Sequence, residues 1–343
     1  MTMKKRIVTI GGGTGSFAIL SGLKQYDDLS ISAIVSMADD GGSTGRLRDE
    51  LGVLPPGDVR QCLVALSKES QAVRDLFNYR FEKGELKGHA AGNIFLSALE
   101  KKSGSFSEGL EIAMKIINIK GKVIPVTNDC VNLQMKLKDG TYLKGEEEVN
   151  HDHTIQKIGL KDVFLKPKAK LNPKAEQAVK RAHVIVIGPG NHYCSIITNL
   201  LVQGMGKALR NSKAKVVYIA NLVNKKGHTD GFTLDDYVDS INGFIGAERI
   251  DYVIYNSQKP SEFLEKKYKR RGETIVRFDE PERKKRNYTV ITSHLLGKTM
   301  QYSKADKIAS SRSLIRHDSV KLAKLIRYIS EADEFKRLIK KIV

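Results

Sequence analysis

The sequence predicts a Rossmann-like α/β fold, a three-layer domain with a mostly parallel sheet. Three observations carry this expectation. Short β-branched runs alternate with helical periodicity along the 343-residue chain. The first run, residues 6–10, passes straight into Gly11-Gly12-Gly13-Thr14-Gly15 and then into an amphipathic stretch. The order of strand followed by glycine turn recurs at residues 183–190. Strands joined through helices lie parallel, with right-handed crossovers.

Residues 6–10 (RIVTI) read as a buried strand. Residues 16–25 set Phe17, Leu20 and Leu23 at helical spacing, and residues 31–37 form the second strand. Pro55-Pro56-Gly57 breaks the chain, and Asp58 is placed to cap a helix running to about Lys68. Further helices are expected at 73–81, 91–102 and 107–117, so 58–118 forms a helical segment. Residues 123–127 resume the sheet. Asp139-Gly140 between residues 133–137 and 142–143 marks a hairpin, which with the polar stretch 144–172 makes a hairpin and irregular insertion over 128–172. Strands at 183–187, 215–220 and 251–255 then alternate with helices at 195–209, 234–245 and 260–271. The basic part 259–343 completes the fold with short strands at 274–278 and 288–291 and a terminal helix from near Asp318. One domain is expected over 1–343, without internal repeats or low-complexity tracts.

Composition narrows the function. With 41% apolar residues the chain can bury a sizeable core. No run of 18 apolar residues codes a membrane span, and the apolar run near the start is too short for a secretion signal, so a cytoplasmic protein is expected. Cys62, Cys130 and Cys194 have no CxxC spacing, which argues against zinc and a disulfide framework. The net charge of +19 is uneven: residues 1–100 carry 12 charges of each sign, and residues 259–343 carry 23 basic against 11 acidic. A specific nucleic-acid reader would concentrate basic charge around its motifs, but here the glycine-rich part is neutral.

Ligands of open parallel sheets sit beyond the carboxyl ends of the strands. Four predicted strands end there in small polar loops: Gly11–Gly15, Asp39-Asp40-Gly41-Gly42-Ser43-Thr44-Gly45-Arg46, Gly188-Pro189-Gly190-Asn191, and Asn221 with Gly227–Gly231. The first loop fails the GxGxxG spacing, because Ser16 stands where glycine is required, and it is not a Walker A loop. Its glycines still let backbone N–H groups approach a phosphate, and Thr14 adds a hydroxyl; the alternative is a tight βα turn that binds nothing. Asp39 and Asp40 are placed to hold a ribose hydroxyl or Mg²⁺, or to serve as helix caps on a surface turn. His89 and Asn93 lie at another helix start, His89 as an acid–base group or a structural hydrogen-bonding residue, and Arg316 precedes the terminal helix, placed to reach a phosphate or to form a surface pair. The absence of GxSxG, HExxH and clustered Cys/His gives nucleophilic serine and zinc chemistry little support.

Gly11–Gly15, Ala38–Arg46, Pro56–Arg60, Gly88-His89 with Gly92-Asn93, Gly188–Gly190 with Asn199-Leu200, and Arg316–Asp318 occur in this order. Together they resemble the bacterial gluconeogenesis factor family (YvcK type), in one superfamily with the 2-phospho-L-lactate transferases of deazaflavin coenzyme synthesis (CofD type). The resemblance spans residues 6–326. It implies a Rossmann-like fold, a cytoplasmic location, binding of a uridine-diphosphate (UDP) sugar, and a role in cell shape and wall synthesis during gluconeogenic growth. It also implies that Thr14, Asn199 and Arg316 contact the ligand. The expected ligand set is therefore Gly11, Gly12, Gly13, Thr14, Gly15, Asp39, Asp40, Ser43, Asn93, Gly188, Gly190, Asn199 and Arg316, with Mg²⁺ on Asp39 and Asp40 as the transferase relatives imply. The chain departs from the family's usual wording at Gly190–Ser195 and Val223–Thr229. A non-catalytic regulatory protein is expected, the alternative being a Mg²⁺-dependent transferase of a phosphate-bearing group. Wall-synthesis proteins and a second copy of the chain are the expected partners.

Overall fold

A computed structural model describes residues 4–278, 286–297 and 314–342; the remainder of the basic C-terminal part lies outside the described residues. The chain opens with β1 (Lys5–Gly11), α1 (Gly13–Leu23) and β2 (Leu29–Val35). Five helices follow: α2 (Gly42–Leu51), α3 (Pro56–Leu66), α4 (Gln71–Asn78), α5 (Ala91–Ser103) and α6 (Phe106–Ile116). Then come β3 (Lys122–Pro125), β4 (Asn132–Leu137), β5 (Tyr142–Lys144), α7 (Glu146–His151), α8 (Ile155–Ile158) and β6 (Leu160–Lys166). The second half has α9 (Pro173–Arg181), β7 (Val184–Ile187), a π-helix (His192–Ile197) running into α10 (Thr198–Leu200), α11 (Met205–Asn211) and β8 (Lys215–Ile219). It ends with α12 (Leu234–Ile245), β9 (Tyr252–Asn256), α13 (Glu262–Arg271), β10 (Thr289–Ser293) and α14 (Ser319–Ile342).

Seven strands form one sheet in the order β10-β9-β8-β7-β1-β2-β3, and every pairing is parallel. α1, α3 and α14 pack on one face, and α9, α11 and α12 on the other. This is the expected three-layer α/β architecture. β7 reads Val-Ile-Val-Ile with every residue buried, because helices cover both faces of the central strands. The chain lays β2 and β3 on one side of β1, then returns and places β7 on its other side. The strand order thus reverses between β1 and β7, and such a switch point opens a crevice at the strands' carboxyl ends.

Four local expectations are corrected. Residues 39–46 are read as a loop, but α2 already begins at Gly42; the buried Arg48 side chain pins it by donating to the backbone O of Asp39 (2.9 Å) and Val131 (3.1 Å). The insertion is ordered, with β6 closing an antiparallel sheet β5-β4-β6 and α7 and α8 between its strands. The helix expected at 195–209 is broken: the π-helix and α10 end before Gly204, whose φ of 106° interrupts the helix ahead of α11. Residues 274–278 do not join the sheet; Ile275 and Arg277 make single bridges to Val223 and Thr233 beyond β8.

Candidate functional site

A cleft of about 410 Å³ opens at the switch point, lined by loops following β1, β7 and β8 and by residues 315–317. Its floor is Gly12–Gly15. α1 has Gly12 at its N-cap and so no capping side chain of its own; its first N–H, that of Gly13, is taken by the Asp58 carboxyl. The two glycine turns touch: a Cβ on Gly15 would lie 1.7 Å from the carbonyl O of Pro189. Gly190 and Asn221 clamp the neighbouring loops, the Gly190 N–H donating to Asn221 Oδ1 (3.3 Å) and Asn221 Nδ2 to the Gly190 carbonyl (2.8 Å). Thr14 Oγ1 donates to Gln61 Oε1 (3.0 Å).

Asp58, at the start of α3, packs its carboxyl against the first glycine turn and accepts the Gly13 N–H. A Cβ on Gly13 would meet it at 2.5 Å, so only glycine admits this carboxyl. Burial, reinforced by the nearby Asp39 carboxyl, raises Asp58 to about 7. Asp39 is raised chiefly by burial, although the Gly41 N–H (3.1 Å) and the Thr44 hydroxyl bind it. Glu146, at the start of α7, faces both and is raised well above the ordinary range by burial and by those carboxyls. The three acids form a half-buried cluster against the glycine turn.

The adjacent acids Asp39 and Asp40 do not face one point. Asp40 turns away to cap α7, accepting the N–H groups of Glu146 (3.1 Å) and Glu147 (2.8 Å). Among the described residues, no three His, Cys, Asp or Glu side chains group as a metal site.

α7 roofs the cleft. Asn150 contributes to its wall, held by Asn191 Nδ2 donating to Asn150 Oδ1 (2.8 Å). Loops after β2, β7 and β8 therefore all grip the insertion, through Asp40, Asn191 and Lys225. Burial lowers His192 to about 3 and His317 to about 4, so both cleft imidazoles are neutral near pH 7. The cations of the wall are Lys225, Arg271 and Arg316. A wider groove of about 840 Å³ lies outside the roof between Asp49 and Lys144, but no glycine turn reaches it.

Of the residues read from sequence, Gly12, Gly13, Thr14, Gly15, Gly190 and Arg316 line the cleft. Gly11 and Gly188 end β1 and its partner strand beneath, Gly188 N–H donating to the Ile10 carbonyl (3.0 Å). Asn199 is fully buried under the floor, its Nδ2 donating to the carbonyls of Gly11 (3.2 Å) and Ser195 (2.8 Å). Ser43 and Asn93 belong to a buried network: Asn93 Nδ2 donates to Ser43 Oγ (3.1 Å), which lies 3.1 Å from His89 Nδ1, and Arg60 Nε donates to Asn93 Oδ1 (2.9 Å). Burial, then Arg46, lowers the pKa of His89. Glu146, Asn150 and Lys225 are site residues that sequence reasoning did not single out, and Asp58, read as a helix cap, instead bonds the glycine turn.

Comparison with known proteins finds relatives of the same fold. Residues 7–296 match the family described as 2-phospho-L-lactate transferase CofD. A putative gluconeogenesis factor of Thermotoga maritima is 39% identical over 326 residues, covering 95% of this chain and 99% of the relative. The chain belongs to the gluconeogenesis factor family, within the CofD superfamily. The gluconeogenesis factor of Bacillus subtilis is 38% identical, with 95% and 98% of the two chains covered. A solved Bacillus halodurans structure, described as a member of the UPF0052 family, superposes with a TM-score of 0.84 at 36% identity, covering 95% of this chain and 99% of that one. Gluconeogenesis factor relatives thus span 95% of the chain. Among the described residues, no helix is long and apolar enough to cross a membrane.

Proposed function

We propose that this protein binds a UDP-sugar in the switch-point cleft and acts as a cytoplasmic regulator of wall synthesis and cell shape during gluconeogenic growth. The observation that supports the reading best is the meeting of two glycine turns, Gly12–Gly15 and Pro189-Gly190, on one cleft at the start of α1. Backbone N–H groups there suit a diphosphate. Arg316 adds a charge-assisted bond from the facing wall, where Tyr268 Oη accepts the N–H groups of Leu314 (2.7 Å) and Ile315 (2.9 Å) and fixes the segment. Asn199 serves from below by holding Gly11. In this reading wall-synthesis proteins are the partners and the chain self-associates. Calorimetric titration with UDP-glucose and UDP-N-acetylglucosamine is expected to give binding, about tenfold weaker in Thr14→Ala, or roughly 1.4 kcal/mol. Absence of binding to either ligand refutes the reading; equal affinity in the variant refutes the role of Thr14.

The clustered carboxylates favour a second reading, a Mg²⁺-assisted transfer of a phosphate-bearing group with release of a nucleotide. Their oxygen donors fit Mg²⁺, which is commonly held by one or two carboxylates together with substrate phosphates. Asp39 and Asp58 would hold it, since Asp40 is engaged with α7. A cation there would neutralise charge on the diphosphate. Turnover of nucleoside-diphosphate substrates that requires Mg²⁺ and is lost in Asp39→Asn would establish this reading, and its absence would leave binding alone.

A further inference from the structure

One basic side chain of the cleft has no part in the reading above. Lys225 follows β8, and its Nζ donates to the backbone O of Asn150 (2.6 Å) and to that residue's Oδ1. Both acceptors are neutral. Burial lowers the pKa of Lys225, opposed through space by Cys194, Glu146 and Glu273, none of which hydrogen-bonds to it. Lys225 takes part in none of the ion pairs formed among the described residues. Withdrawing an ammonium from water is costly unless an anion meets it. Holding the roof does not require that charge, because a glutamine amide has two N–H donors for the same two acceptors. The ammonium lines the same cleft as both glycine turns, and Asn150, to which it is bound, is also held by Asn191 beside Gly190.

We propose that Lys225 is a phosphate-binding residue that meets the ligand's diphosphate from the β8 side of the cleft, complementing the amide end of α1. The inference rests on the diphosphate reading of this cleft. It makes affinity depend on the phosphates themselves, whatever base or sugar they carry.

The test titrates inorganic pyrophosphate and UDP-glucose into the wild type, Lys225→Met, Lys225→Gln and Lys225→Arg, with thermal unfolding as a check on folding. Lys225→Met and Lys225→Gln are expected to weaken both ligands at least tenfold, and Lys225→Arg to stay within about threefold of the wild type. Lys225→Gln keeps donors for Asn150, so it separates loss of charge from loss of the roof contact and serves where the Met variant unfolds. Wild-type affinity in Lys225→Gln overturns the inference and leaves the nucleotide-sugar reading intact. Pyrophosphate binding that depends on Lys225, without binding of UDP-glucose, upholds the lysine and removes the sugar. Binding of neither ligand to the wild type overturns both.

Discussion

Replacing Asp58 by asparagine tests the acid cluster directly. In the folded chain burial and the Asp39 carboxyl raise Asp58 from 3.8 to about 7. Between those values the unfolded chain releases a proton that the folded chain retains. Asp58 therefore stabilises the fold fully below pH 3.8, and this contribution is lost as the pH rises through 7. The span corresponds to at most about 4 kcal/mol, accumulating at up to about 1.4 kcal/mol per pH unit. The asparagine amide keeps an oxygen for the Gly13 N–H and removes the titration. Urea unfolding of wild type and Asp58→Asn, run in EDTA from about pH 5 to 8, should show a falling wild-type stability and a shallower fall in the variant, by up to about 1 kcal/mol per unit near pH 5–6. The variant should be the more stable protein at the alkaline end of that range. Parallel slopes in the two proteins would refute a carboxyl that holds its proton in the fold.

Gly15→Ala forces a methyl to within 1.7 Å of the Pro189 carbonyl, so the two turns must part. A loss of roughly 1–3 kcal/mol in chemical unfolding and weaker UDP-glucose binding are expected; an unchanged midpoint would show that the turns are not in contact. Arg60→Met leaves Asn93 Oδ1 without its donor in a buried network, and should cost about 2–4 kcal/mol, read from the unfolding midpoint. Asn150→Ala removes the Oδ1 acceptor through which Asn191 and Lys225 hold α7. Faster hydrogen exchange at residues 146–151, with little change in the central strands, is the expected result.

The central sheet was legible because its strands are local and apolar: Ile7–Ile10 and Val184–Ile187 announce buried strands whatever surrounds them. The glycine turns were legible for a related reason, since four glycines in five residues point to close approach. What escaped depends on distant partners. α2 begins Gly-Ser-Thr-Gly, a poor helix start, and is fixed by Arg48 reaching the chain at Val131. α7 is six residues long, and its cap is Asp40, more than a hundred residues earlier. Glu146 and Lys225 acquire their roles only when the insertion folds back across the strand ends. No periodicity or spacing encodes such a meeting.

The order of the strands also governs when the site can exist. β1 finds β7 across a separation of 177 residues, as the hydrogen bond from Arg6 to His183 illustrates. A growing chain that stops short of residue 184 offers β1 one neighbour, β2, and leaves its other side a bare row of amides and carbonyls. Such an edge invites mispairing, and parallel contacts of this range form slowly. The first glycine turn, made before β7, is thus finished only once β7 has joined the sheet. Fragments cut before β7 should be aggregation-prone and unable to bind, so the amino-terminal half is not a module that could be lent to another protein.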